Sequence, residues 1–123
     1  MATLNDRVLD SGLAVLDTEA NKIVVTSQEA TTFTNANATY ALGNSTSLSI
    51  AAPTDRSGGG REVVVAAITN GSITATGTAT HYAIVDTTNS RLLATSTLSA
   101  SQSVTSGNTF TLASFTIGIP DPS

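Results

Sequence analysis

The groups able to do chemistry in this chain of 123 residues are one histidine, nine carboxylates and 37 hydroxyls from 22 Thr and 15 Ser; there is no cysteine. Nucleophilic hydrolysis needs a hydroxyl, a base and an orienting group in one hydrogen-bonded series. His81 stands beside Tyr82 in an alternating stretch, with Asp86 or Glu62 as the acids to orient it were it a base. No serine stands in a strained nucleophile turn. His81 is therefore expected to be a packed or surface histidine, and no catalytic residue is assigned.

Metal chemistry is equally thin. With one His and no Cys, only carboxylates and carbonyls remain, which suit calcium. Asp6, Asp10, Asp17 and Glu19 gather near one end without the alternating Asp/Asn/Gly loop of a calcium site. They read as a solvated helix face, so no metal or cofactor is expected; calcium shared at a subunit contact is the alternative. Glycoside cleavage needs two carboxyls facing across a cleft, and no spacing here supplies such a pair. Ser57-Gly58-Gly59-Gly60-Arg61 lacks the Gly-Lys-Ser/Thr ending of a phosphate loop and leads into a strand instead of a helix. It reads as a flexible arm, flanked by Arg56 and Arg61, suited to docking on a neighbouring subunit. Sequons at Asn37, Asn44 and Asn70 are no more than chance gives in a chain so rich in Ser and Thr.

The net charge of −4 and the scatter of five cations argue against phosphate-backbone recognition and against an anionic-membrane anchor. No apolar run approaches the roughly 20 residues that span a bilayer. The first residues lack the basic start and apolar stretch of a secretory signal. Only 11% of residues are charged, and Thr suits a pleated half-exposed strand because its branched Cβ packs while its hydroxyl stays wet. A chain made in the cytosol and later exposed outside a cell fits both the missing signal and a surface made soluble by hydroxyls instead of charges.

Leu4, Val8, Leu9, Leu13, Val15 and Leu16 fall on one side at helical spacing, predicting a helix over residues 3–18. The rival is a strand over Leu13–Leu16. From Lys22 the period becomes two. Ile23-Val24-Val25 reads as a buried strand, residues 28–39 as a polar stretch anchored by Phe33, and Gly43-Asn44 as a break. Pro53–Gly60 reads as a long loop, and Val63-Val64-Val65 as a central strand buried on both faces. Asn70-Gly71 is the strongest hairpin signal. Strands follow over 79–86 and 91–98, joined by Thr87–Ser90. In the last strand Phe110 and Leu112 share one parity while Phe115, Ile117 and Ile119 share the other, predicting a β-bulge near Ala113-Ser114. The whole predicts a mainly β fold: an antiparallel β-sandwich, jelly-roll-like, of about eight strands with one short N-terminal helix. Its divisions are an arm over 1–20, a sandwich over 21–119 and a tail over 120–123.

The run Gly77-Thr78-Ala79-Thr80-His81-Tyr82-Ala83-Ile84-Val85-Asp86, then Leu92-Leu93-Ala94-Thr95, then Val104-Thr105-Ser106-Gly107-Asn108-Thr109-Phe110-Thr111-Leu112, resembles small virion structural proteins of tailed phages and prophages. Ser27–Phe33, Tyr40–Gly43 and Gly60–Val63 carry the same likeness, which covers most of the chain. Ala30 stands where relatives often have Pro, and Tyr82 where Trp is common. The resemblance implies a virion part and brings no catalytic residues. It implies a capsid decoration (cement) protein or a tail, baseplate or fibre component. The expected partners are the major capsid protein or other virion proteins and further copies of itself, with neither nucleic acid nor membrane. The expected subunit contacts are Leu4, Val8 and Leu9 in the N-terminal segment, Arg56, Gly58, Gly59 and Arg61 in the loop, and Pro120 and Pro122 in the tail. A reading from another class is a free carbohydrate-binding β-sandwich. Such modules present aromatic platforms, whereas Phe33, Tyr40, Tyr82, Phe110 and Phe115 are expected mostly in the core.

Overall fold

The structure, a computed structural model, describes residues 6–119, the side chains of 6–11 and of Ser99 excepted. Leu4, Pro120 and Pro122 lie outside the described residues, and so do the side chains of Val8 and Leu9. The expected helix forms as α1, Asp6–Glu19, so the rival strand over Leu13–Leu16 does not. Leu13 and Leu16, three residues apart on one stripe, are buried.

Nine strands follow: β1 Lys22–Thr26, β2 Ala41–Ser45, β3 Thr54–Asp55, β4 Arg61–Val65, β5 Ile68–Ile73, β6 Gly77–Asp86, β7 Arg91–Val104, β8 Thr109–Leu112 and β9 Phe115–Ile119. Every pairing is antiparallel. The expected class, mainly β with antiparallel sheets and one short N-terminal helix, is the class formed.

The chain divides into two compact units. The larger, Ala20–Leu48 with Ile68–Leu112, holds a six-stranded sheet in the order β7-β6-β1-β2-β5-β8. Its centre is β1, whose β-branched Ile23, Val24 and Val25 are all buried. On one face Val24 packs with Ala83, Val85, Ala30 and Ala36, flanked by Phe33, Tyr40 and Leu92. Phe33 is thus the anchor its position suggests. The segment carrying it is not simply irregular, because Asn35–Thr39 forms one wide helical turn closed by Tyr40 N–H donating to Asn35 O at 2.9 Å.

The smaller unit holds α1, Ser49–Ala67 and the chain from Ala113 on, with a three-stranded sheet in the order β3-β4-β9. Val63 and Val65 are fully buried, and α1 packs on β4 and β9. Between them Val64 is 39% exposed. β4 is central as expected, but only one of its faces is buried.

Three local expectations are overturned. Gly43-Asn44 does not break the chain, since β2 runs through it and Gly43 pairs with Val25 and Ile73. Asn70-Gly71 is no hairpin turn but the middle of β5, and Gly71 is not among the positive-φ glycines. A type I′ turn needs positive φ at both central residues; here the glycine serves a different end. The Phe110 ring occupies the space where a Gly71 Cβ would stand. The parity change after Leu112 is no bulge within one strand: β8 ends in the six-stranded sheet and β9 begins in the three-stranded one.

Candidate assembly interface

The three-stranded sheet brings four of the expected contact residues together. In the β3–β4 hairpin Thr54 pairs with Glu62 and Asp55 with Arg61, and the Arg56 N–H donates to Gly60 O at 3.1 Å. Gly58, Gly59 and Gly60 have φ of 88°, 105° and 96°. Three consecutive left-handed residues explain the triple glycine, because each Cβ there would cost about 1–2 kcal/mol.

Both arginines turn onto their own loop. Arg56 Nη1 donates to Gly59 O at 3.1 Å, while Arg61 donates to Asp55 Oδ1 at 2.6 Å and to Pro53 O at 3.2 Å. The expected flexible arm flanked by Arg56 and Arg61 is therefore corrected to a hairpin tied by its own guanidiniums. Asp55 is 88% exposed, so its ion pair fixes geometry more than it stabilises, at about 0–1 kcal/mol. Behind the hairpin, β9 pairs with β4 in unbroken register from Arg61↔Ile119 to Val65↔Phe115. One face of this sheet carries Val63, Val65, Ile117 and Ile119 toward α1, where Gly12 lies 3.5 Å, measured to its would-be Cβ, from Ile119 Cδ1. The other carries Glu62, Val64, Thr116 and Gly118, with the stem of Arg56 across Gly118.

Each sheet has two open edges among the described residues, and three are guarded. β7 departs from regular pairing, with Leu98–Ser101 set against Thr80 alone. β8 has four residues, and β3 has two, one of them charged. Bulges, shortness and charge are the usual means of blunting an edge. β9 has none of them: five residues, no charge, no interior proline and no irregularity. This edge was not among the expected contacts. Its signal in the sequence is the parity break at Ala113-Ser114, where a new strand begins.

His81 sits beside a hydroxyl that already has a backbone acceptor. Thr80 Oγ1 lies 2.9 Å from Ser27 O, to which it donates, and 2.8 Å from His81 Nδ1, where donor and acceptor follow the imidazole tautomer. Asp86 is engaged elsewhere, accepting from Thr88 N–H at 2.9 Å and Asn89 Nδ2 at 2.8 Å in the β6–β7 turn. Among the described residues no three His or acid side chains gather as a metal site would need, and no helix is long and apolar enough to cross a membrane. No protein-family model, curated protein or solved structure matches this chain.

Proposed function

We propose that this chain is a non-enzymatic structural protein of a tailed-phage virion, a capsid decoration protein that stabilises the head through subunit contacts. The observation that carries the reading is the β9 edge, an uncharged strand in unbroken register with β4, beside a hairpin tied by Arg56 and Arg61. Such an edge adds strands from other chains, with main-chain hydrogen bonds supplying affinity. The hydroxyl-rich, charge-poor composition and the likeness of residues 77–112 to phage virion proteins support the same reading. The one histidine has Thr80 as its hydroxyl neighbour, and Asp86 is held in the β6–β7 turn, so among the described residues no orienting acid stands behind it.

The test is mass spectrometry of purified virions separated into tail-less heads and isolated tails. Abundant recovery with heads is the expected result. Recovery with tails alone would move the protein to the tail, baseplate or fibre. Absence from both fractions would end the virion reading.

A further inference from the structure

We infer that β9 joins two copies of this chain, strand to strand and antiparallel, about a two-fold axis at Ile117. The inference extends the assembly reading above by naming the partner of the open edge as a second copy.

The strand reads Phe115-Thr116-Ile117-Gly118-Ile119, and its side-chain sizes are symmetric about the middle residue. Antiparallel self-pairing sets Phe115 against Ile119 of the second copy, Thr116 against Gly118, and Ile117 against itself. Large apolar residues then meet large apolar residues on the helix-covered face, and small residues meet on the other. Isologous contact requires such self-complementarity, since each residue meets its counterpart's partner. A strand with one apolar and one polar end would set unlike groups against each other, and a charge at its middle residue would meet its like across the dyad. Here the chain carries −4 overall and approaches its copy through a segment with no charge. Thr116 and Gly118 are exposed, and β4 already holds the opposite edge in register. The product is one continuous six-stranded sheet, β3-β4-β9 followed by its symmetry mate.

Five residues make a small contact, well below the roughly 800 Å² per partner of a stable interface. Pairing is therefore weak for free chains and strong where a particle holds copies side by side, because linkage raises the effective concentration.

The chain has no cysteine, which permits a trapping experiment on the isolated protein, independent of any head-binding result. Ile117→Cys is oxidised beside Asp55→Cys on the β3 edge and Thr111→Cys on the β8 edge. Directly opposed Cβ atoms in an antiparallel pair lie about 4.5–5.5 Å apart, near disulfide reach. Ile117→Cys should give disulfide dimer severalfold faster than the other two, and adding Thr116→Lys should suppress it. Equal rates at the three edges, or indifference to Thr116→Lys, would overturn the inference. Because Ile117 is half-buried, sedimentation equilibrium of the unsubstituted chain against Thr116→Lys alone is the second measurement. At the high protein concentrations where weak pairing shows, weaker self-association of the lysine variant is expected, and equal self-association of the two there would overturn the pairing.

Discussion

The side chain of Arg56 lies across Gly118, so closely that a Cβ on the glycine would come 3.0 Å from Arg56 Cδ and 3.2 Å from Nε. Sixty-two positions separate the two residues, yet this contact ties the triglycine hairpin to the strand with the open edge. The guanidinium reaches Gly59 O only because the stem can cross a residue without a side chain.

Gly118→Ala should therefore push Arg56 aside and loosen the hairpin without unfolding the sheet. Amide hydrogen exchange is the measurement. The Arg56 N–H, which donates to Gly60 O, and the Gly59 N–H, which donates to Arg56 O, should exchange faster in the variant. The Val63 and Val65 amides should keep their protection. Unchanged exchange in the loop would show that Arg56 does not anchor it.

Burial on β4 alternates over Val63, Val64 and Val65, and neighbouring valines should respond differently. Val63→Ala removes two methyls from a fully buried site and should cost about 2 kcal/mol, between the usual losses for smaller and larger core truncations. Val64→Ala, at a 39% exposed site, should stay within about 0.5 kcal/mol. Denaturant unfolding separates them, and equal costs would contradict the placement of β4.

Gly71→Ala tests the packing that displaces the expected turn. Its Cβ would overlap the buried Phe110 ring, and overpacking of this kind costs about 1–3 kcal/mol. Phe110→Leu should then be less harmful in the Gly71→Ala background than alone, because the two residues compete for one space. A double-mutant cycle in urea checks this, and strict additivity would count against it.

These residues also mark how far the sequence could be read. The β-rich class, the N-terminal helix and the buried Ile23-Val24-Val25 follow from periodicity, because burial acts on each residue of a regular element. Asn70-Gly71 misleads because a glycine is required equally by positive φ and by a ring lying on the backbone, and only the position of Phe110, 39 residues later, decides between them. The parity change at Ala113-Ser114 is visible, but bulge and change of sheet leave the same local pattern. At the candidate site the triple glycine announces a loop. The inward turn of Arg56 and Arg61 depends on carbonyls placed by the fold, so spacing alone suggests free arginines.

Asp86 predicts a pH dependence. The side-chain hydrogen bond from Asn89 lowers the pKa of its carboxyl, with backbone donors at Thr88 and Asn89 and the charge of Arg91 acting the same way against burial. The folded value thus lies below the unfolded one. The ionised turn stabilises the fold fully above the ordinary carboxylate pKa of about 4, and that contribution is lost as pH falls through the folded value. Asp86→Asn should lower the melting temperature at neutral pH and flatten its fall in acid below about pH 4. Parallel curves for the two proteins would refute the assignment.

The most direct measurement of the central claim uses heads that lack this protein, prepared from a phage with its gene deleted, and purified chain added back. The temperature at which the heads release their DNA is read with the unsubstituted chain and with Thr116→Lys. A decoration protein joined through β9 should bind and raise the release temperature, with the lysine variant raising it less. Heads that neither bind the chain nor gain heat resistance would contradict the account.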